Sequence, residues 1–189
     1  MKSRSLTVLL AALLALMMTA CGDASVDAGK DTPTTTAGDA VTTAAELSAP
    51  PAVYSFVSGK TTLYIGADPA ILTALGEPQD KLEAASCVHE GFDRVYYYAG
   101  FEVNTQPTAD GKEEIVSIYL TDDSNATPEG IRIGDKIDAV KTVYGEPLQI
   151  SDTTGLYSYT KTDGGVSSTV NFLTDPDGSV ISIYYNRYN

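Results

Sequence analysis

The chain has 189 residues, which allows one domain or two small units fused side by side. Its hydrophobic fraction of 43% and charged fraction of 20% are ordinary for a globular protein, whereas its formal net charge is −13. Such a negative surface repels nucleic acid and anionic lipid, and it favours cationic partners. We therefore expect no nucleic-acid partner.

The N-terminus has the pattern of an export signal. Lys2 and Arg4 form a short positive region, and an apolar run from Leu6 to Met18 follows. This run has the length of a signal-peptide core and is too short to span a bilayer. We predict that residues 1–20 are a signal peptide.

The end of that run carries a second pattern. Met18-Thr19-Ala20-Cys21 resembles the bacterial lipobox, where a peptidase cleaves before the cysteine and the thiol then carries a diacylglycerol. The resemblance implies that Cys21 is the lipidation site. Its acyl chains, palmitate among them, would hold the protein at the outer, extracytoplasmic face of the cell membrane. The alternative is an ordinary signal peptide with an incidental cysteine.

Residues 21–52 are predicted to be the lipidated cysteine and a disordered tether. From residue 22 onward this segment is rich in Thr, Ala, Asp, Gly, Ser and Pro, and it contains no aromatic residue. Such a composition cannot bury enough apolar surface to offset the entropy lost on ordering. Pro50-Pro51 closes the segment, and we expect folded structure to begin near Val53.

Cys87 is the other cysteine of the chain, so acylation of Cys21 would leave it without an intramolecular disulfide partner. Cys87-Val88 looks like the apolar start of a strand, and a buried free cysteine behaves as a small hydrophobe. The alternative is a reactive or dimer-forming thiol. With a single histidine, His89, the chain offers no plausible zinc site or Cys–His pair, and we expect no metal and no cofactor.

The segment from Ile133 to Pro147 repeats features of the segment from Ile65 to Pro78. Both begin with Ile-Gly and end with Gly-Glu-Pro. Similar strand sequences follow each, such as Val116-Ser-Ile-Tyr-Leu120 and Ile181-Ser-Ile-Tyr-Tyr185. We therefore predict two copies of one unit, and their ranges are residues 53–127 and residues 128–189.

Each unit begins with a short predicted helix. In the first, Asp68 is placed to accept hydrogen bonds from free backbone N–H groups, Pro69 suits the first helical position, and Gly76 ends the helix. The second has apolar residues at helical spacing, namely Ile133, Ile137, Val140 and Tyr144. Helices this short need a sheet to cover their apolar stripes.

After each helix the apolar residues alternate, which predicts strands separated by turns such as Asp110-Gly111. The predicted strands cover residues 86–89, 94–99, 100–105 and 114–120 in the first unit, and residues 148–151, 156–161, 167–173 and 180–185 in the second. The predicted fold class is α+β: two repeated helix-plus-antiparallel-meander units that form one curved sheet with helices on one face.

The helix motif resembles that of the BamE/SmpA and β-lactamase-inhibitor-protein (BLIP-like) superfamily, where a Gly opens the helix and Leu-Gly-x-Pro closes it. The second unit matches this spacing at Gly134, Val140, Tyr144, Gly145 and Pro147. Asp135-Lys136 stands where Met-Ser/Thr is usual, and the first unit is one residue shorter between Gly66 and Ile71. The segment from Cys87 to Gly134 also looks like lipoproteins of Gram-positive bacteria, and the resemblance as a whole covers roughly residues 54–189. The resemblance implies a tandem BLIP-like sheet that binds proteins, and it implies no catalysis.

Tyrosine is the distinctive residue, with 12 copies and no tryptophan. Strand alternation places Tyr97, Tyr119 and Tyr184 on a face shared with serines, so these three are candidate exposed interaction residues. The alternative is that tyrosine serves as a good strand former. By the same alternation, a second set is expected to be buried beneath the helices: Tyr96, Tyr98, Tyr157 and Tyr159.

These patterns predict a non-catalytic, lipid-anchored module that binds a protein of the cell envelope or a secreted protein through an exposed face of its sheet. The alternative is a lipoprotein that binds a small ligand or a cell-wall glycan. Two acidic segments, Asp122-Asp123-Ser124-Asn125 and Asp175-Pro-Asp-Gly178, could suggest calcium, but they are better explained as turns. The sequence contains no hydrolase, metalloprotease or phosphate-loop motif.

Overall fold

The structure, a computed structural model, describes residues 50–151 and 153–187. The predicted signal peptide, the lipidation site Cys21 and most of the predicted tether lie outside the described residues. Strands account for 47% of the described residues and helices for 11%. No helix in this part of the chain is long and apolar enough to cross a membrane.

The elements follow the chain in two similar series. The strands are β1 (Ser55–Ser58), β2 (Thr61–Tyr64), β3 (Asp80–Ala85), β4 (Phe92–Tyr98), β5 (Phe101–Pro107), β6 (Glu113–Leu120), β7 (Gln149–Ser151), β8 (Leu156–Asp163), β9 (Val166–Thr174) and β10 (Val180–Asn186). The helices are a 3₁₀ helix (Pro69–Leu75) and α1 (Ile137–Tyr144). Each helix therefore precedes four strands.

Eight of the strands form one antiparallel sheet, in the order β3-β4-β5-β6-β10-β9-β8-β7, and β1 and β2 form a separate hairpin. The large sheet consists of two four-stranded meanders that meet where β6 pairs with β10. At this junction Tyr119 lies opposite Tyr184, and Leu120 lies opposite Ile183. Strands β3 and β7 are the edges of the sheet.

Each meander carries a bulge at the corresponding residue. The pairing of β6 with β5 skips Val116, and the pairing of β10 with β9 skips Ile181. Such a bulge bends the strand and breaks its alternation of faces. Ile181 is accordingly 51% exposed, although the sequence pattern places it with the buried Ile183 and Tyr185.

The core lies on one face of the large sheet, beneath the β1–β2 hairpin. The ring centroid of Phe56 lies 4.8 Å from that of Phe101 and 6.4 Å from that of Tyr185, which places the hairpin over the middle of the sheet. We call this side the core face and the opposite side the outer face. Other buried core-face residues are Val103, Ile118, Val170, Phe172 and Ile183.

The predicted α+β class is wrong, because the fold is mostly β. The two helices contain seven and eight residues, and each fully buries one side chain, Leu72 in the 3₁₀ helix and Val140 in α1. Because both helices are short and helices make up only 11% of the described residues, they do not form a layer over the sheet. The apolar stripes in the sequence indicated helices correctly but overstated how much each helix covers.

The predicted start of the first helix is confirmed. The backbone N–H of Ala70 donates to Asp68 Oδ1 at 2.8 Å, and Pro69 occupies the first turn. Gly76 has a φ of 82° and ends the helix after seven residues. The segment has the tighter 3₁₀ form, which is common for short pieces.

The predicted strand at residues 86–89 is wrong, and with it the burial of Cys87. The strand lies earlier, at Asp80–Ala85, and Cys87 is exposed in the turn that follows. All six residues of β3 are exposed, because it is an edge strand. An edge strand with both faces exposed has no apolar alternation to reveal it.

The N-terminal end of the described chain, just before β1, lies against β8. The backbone N–H of Ala52 donates to Asp163 Oδ2 at 2.8 Å, and Lys161 Nζ lies 4.2 Å from the centroid of the Tyr54 ring. Val53 and Tyr54 are buried between these contacts. The β1–β2 hairpin is thus attached to the end of the β8–β9 hairpin as well as to the core.

Candidate interaction face

One row of residues on the outer face crosses all eight strands of the large sheet. Backbone pairing aligns each member opposite the next, and the row contains the three tyrosines that strand alternation had singled out. We call it the tyrosine row. In spatial order it runs Asp80, Tyr97, Glu102, Tyr119, Tyr184, Asn171, Ser158 and Gln149.

The centre of the row is a stacked pair of rings. The centroids of Tyr119 and Tyr184 lie 5.2 Å apart, and the ring planes are inclined by 19°. Both side chains are half-buried. Burial, with a smaller contribution from Tyr119, raises the pKa of Tyr184, so its hydroxyl stays protonated at neutral pH. The pair forms a rigid, amphipathic surface with hydroxyl groups available for hydrogen bonding.

On one side of the stack the row alternates acid and tyrosine. Glu102 lies between Tyr97 and Tyr119 on neighbouring strands, and Asp80 lies beyond Tyr97. Directly opposed residues of an antiparallel pair have Cβ atoms about 4.5–5.5 Å apart, so the Cβ of Glu102 lies close to those of Tyr97 and Tyr119. Within the described residues, Glu102 forms neither an ion pair nor a side-chain hydrogen bond.

On the other side of the stack the polar groups bond to one another. Ser158 Oγ donates to Asn171 Oδ1 at 2.7 Å, and Asn171 Nδ2 donates to Asn186 Oδ1 at 3.0 Å. Ser158 and Asn171 are each only 4% exposed. The hydroxyls of Thr160 and Thr169 lie 2.7 Å apart in the neighbouring row. The polar side chains in this half of the outer face therefore satisfy one another's hydrogen-bonding groups.

At the outer-face positions of the strands that the structure describes, no residue is basic. Among the described strand residues, the basic side chains are Lys81, Arg94 and Lys161, and each occupies a core-face position, opposite Tyr96, Thr105 and Ser168 respectively. Arg94 there contacts Glu83 at 2.7 Å and Glu113 at 2.5 Å. The carboxylates at outer-face positions are Asp80, Asp93, Glu102 and Glu114. Of these, Glu114 is paired with Arg187 at 2.8 Å.

The tyrosines expected to be buried lie on the core face. Tyr159 is 3% exposed, whereas Tyr96, Tyr98 and Tyr157 are half-buried against the core. Tyr98 stacks on Phe101 with centroids 5.0 Å apart. The two sets of tyrosines therefore occupy opposite faces of the sheet, as alternation predicts.

Two open clefts lie away from the tyrosine row. One, of about 310 Å³, is lined by His89, Pro107, Glu114 and Arg187 among others. The second, of about 480 Å³, is lined by Thr153, Thr154, Gly155, Tyr157, Thr174 and Asp175 among others. Lys141 Nζ lies 5.2 Å from the centroid of the Tyr157 ring beside the second cleft.

Both acidic segments form turns. Asp122 Oδ1 accepts from the backbone N–H of Ser124 at 2.9 Å. Asp175 Oδ1 accepts from the backbone N–H groups of Asp177 and Ser179 at 3.0 and 2.8 Å. Across residues 50–151 and 153–187, no group of three or more His, Cys, Asp or Glu side chains is arranged to hold a metal ion.

Comparisons with known proteins identify a distant structural likeness. No protein-family model matches the chain, and no curated protein matches it. The crystal structure of a DUF4309 family protein (YjgB) from Bacillus subtilis subsp. subtilis str. 168 is similar at 13% sequence identity and a TM-score of 0.38. The similarity covers 63% of this chain and 76% of that chain. At this level the likeness carries no argument about function.

Sequence reasoning found the tyrosines of the row but missed Glu102. The signal was present in β5, where the buried Phe101 and Val103 alternate with Glu102 and Asn104. Alternation gives the face of each residue within its own strand, but only the register between strands places Glu102 between two tyrosines.

Proposed function

We propose that the protein is a lipid-anchored, non-catalytic module that binds another protein of the cell envelope or a secreted protein through the outer face of its sheet. The observation that carries this proposal is the tyrosine row, with the stacked Tyr119 and Tyr184 at its centre. Tyrosine supplies large contact area with little rotamer entropy to lose on binding. The accessible part of the row, from Asp80 to Tyr184, extends across five strands and suits a broad protein surface better than a small ligand.

The lipid anchor is the second part of this proposal. Its support is the lipobox resemblance at Met18–Cys21, after an apolar run of signal-peptide length. Growth of the native organism with radiolabelled palmitate tests it. The label is expected in the wild type and in Cys87→Ser, which removes the other thiol, but not in Cys21→Ser. Label retained by Cys21→Ser would contradict lipidation at that residue.

Affinity capture tests the binding face. The full-length protein, purified in detergent, serves as bait for envelope extracts of the native organism, beside a Tyr97→Ala/Tyr119→Ala/Tyr184→Ala variant. Tyr157→Ala, which removes a tyrosine from the core face, is the control. We expect one partner that both the wild type and the control retain and the triple variant loses, with thermal unfolding confirming that every bait is folded. If a folded triple variant retained that partner, the tyrosine row would not be the surface that binds it.

A second candidate function is the binding of a small ligand or a cell-wall glycan in the 480 Å³ cleft. Tyr157 offers an aromatic surface there, and Thr153, Thr154 and Thr174 bring hydroxyl groups to the same cleft. Sugar rings pack on aromatic faces while hydroxyl groups orient them. Calorimetry with soluble wall fragments is expected to give binding that Tyr157→Ala abolishes, while the triple variant of the row retains it.

A further inference from the structure

We propose that the segment bound by the outer face is basic, and that Glu102 receives one of its Lys or Arg side chains between Tyr97 and Tyr119. This inference rests on the proposed function, because it names the chemistry of the partner for that same face. It adds Glu102, which the pattern of tyrosines alone does not indicate.

The position of Glu102 suits a cation in two ways. Its carboxylate forms no ion pair within the described residues, so it is free to accept a charge-assisted hydrogen bond. The neighbouring rings of Tyr97 and Tyr119 add a cation–π surface within reach of a guanidinium or ammonium group held by that carboxylate. Arginine fits especially well, because its planar group can pair with a carboxylate and stack on an aromatic ring together.

The charge of the face decides between possible occupants. The outer-face strand positions within the described residues hold Asp80, Asp93 and Glu102 without a basic partner on that face. Among the residues that the structure describes, the buried Oδ1 of Asp93 has no hydrogen-bond partner. A second copy of this chain, with its net charge of −13, would bring like charges together, and an anionic polymer would be repelled. Charge complementarity therefore selects a basic segment.

The two halves of the row show where the cation binds. The residue of β5 that faces Tyr119 is Glu102, and the residue of β9 that faces Tyr184 is Asn171. These two positions correspond in the two meanders, but Asn171 is 4% exposed and already hydrogen-bonded to Ser158 and Asn186. Within the described residues, the half that contains Glu102 is the one with a charge that has no ion-pair partner.

Calorimetry on the full-length protein in detergent micelles, at near-physiological salt, tests the inference. The probe is a blocked seven-residue peptide of alternating glycine and arginine, and the matched probe replaces each arginine with uncharged citrulline. Two variants remove one negative charge each: Glu102→Gln within the row, and Glu90→Gln in the exposed turn after β3. Both substitutions keep the side-chain shape, so folding is expected to be unchanged.

We expect the arginine peptide to bind the wild type and the Glu90→Gln variant equally, and to bind Glu102→Gln and Tyr119→Ala about fivefold or more weakly. The citrulline peptide is expected not to bind. If Glu102→Gln and Glu90→Gln weakened peptide binding equally, the peptide would be attracted by net charge alone, and the site at Glu102 would be overturned. Absence of arginine-peptide binding, or equal binding of citrulline, would overturn the basic partner. In either case the capture experiment with the triple tyrosine variant still decides the proposed function separately.

Discussion

Tyr119 and Tyr184 occupy the same place in the two repeated sequences and also lie opposite each other across the β6–β10 junction, with their rings stacked 5.2 Å apart. An antiparallel pair that matches a residue with its own counterpart places a local two-fold axis between the two. The tyrosine row therefore extends outward from this pair through corresponding strands of the two meanders. The backbone is nearly symmetric about the pair, while the side chains beyond it are not.

The stacking of this pair is expected to appear as a coupling free energy. In a double-mutant cycle of Tyr119→Ala and Tyr184→Ala, urea unfolding should give a coupling of about 0.5–1.5 kcal/mol, because each single change already removes the stack. The control cycle combines Tyr97→Ala with Tyr184→Ala, two positions separated by Glu102 and Tyr119 in the row. Those changes should add within about 0.5 kcal/mol. Additivity in the first cycle would contradict the stack.

Helix α1 offers a matched pair of valines. Val140 is 0% exposed and Val143 is 46% exposed, so the same substitution samples a buried and an exposed position of one helix. Val140→Ala should lower the free energy of unfolding by about 1–3 kcal/mol, because it removes buried methyl groups and leaves a cavity. Val143→Ala should change it by less than about 0.5 kcal/mol. Similar losses for both, measured by urea unfolding, would show that α1 is not packed on the core as described.

Tyr159 is expected to make the free energy of unfolding fall at alkaline pH. Its hydroxyl is buried without a hydrogen-bond partner among the described residues, and burial raises its pKa from 10.0 to about 12. Above pH 10 the unfolded chain loses this proton before the folded chain does, so the contribution of Tyr159 is complete below about pH 10 and is lost as the pH rises toward 12. Urea unfolding of the wild type and of Tyr159→Phe at neutral pH and at about pH 11 measures the effect.

At neutral pH, Tyr159→Phe should be within about 0.5 kcal/mol of the wild type or more stable, since no hydrogen bond is lost. At alkaline pH the variant should lose less stability than the wild type. Tyr144→Phe is the control, because the Tyr144 hydroxyl donates to Glu129 Oε2 at 2.5 Å, and its removal should cost about 1 kcal/mol at neutral pH. If the difference between Tyr159→Phe and the wild type is the same at both pH values, the burial of this hydroxyl is contradicted.

Cys87 should react readily in the folded protein. Its side chain is exposed in the turn between β3 and β4, so a thiol reagent should modify it about as fast in native buffer as in urea. Cys87→Ala should change the free energy of unfolding by less than about 0.5 kcal/mol, as for other exposed positions. Labelling followed by mass spectrometry measures the rate. Strong protection in native buffer would restore the interpretation of Cys87 as a buried strand residue.

Local rules in the sequence identified the features that depend on one segment. Asp68 and Pro69 marked the helix start because capping requires only neighbouring backbone groups. Alternation within β4 separated Tyr97 from Tyr96 because successive strand residues face opposite sides. These signals are carried by the strand itself and do not depend on its partners.

Features that depend on several segments were missed. Nothing within β10 indicates that its pairing with β9 skips Ile181, and nothing within β5 indicates that Glu102 lies between two tyrosines. The α+β prediction failed for a related reason, since spacing shows that α1 has an apolar side but not that the β1–β2 hairpin covers the middle of the sheet. Register and coverage are properties of the assembled sheet.

The attachment of the chain start to β8 determines how tension on the N-terminal side enters the fold. A pull at Pro51 acts first on the bond from Ala52 to Asp163 and on the buried Tyr54. It then acts on the open end of the β1–β2 hairpin, where Ser55 pairs with Tyr64, so that the hydrogen bonds there break one after another. The first contact on this path, Asp163, lies at the end of β8 in the large sheet, whereas the tyrosine row lies on the outer face. Tension from the N-terminal side therefore enters through the hairpin and the core face, on the side of the sheet opposite the tyrosine row.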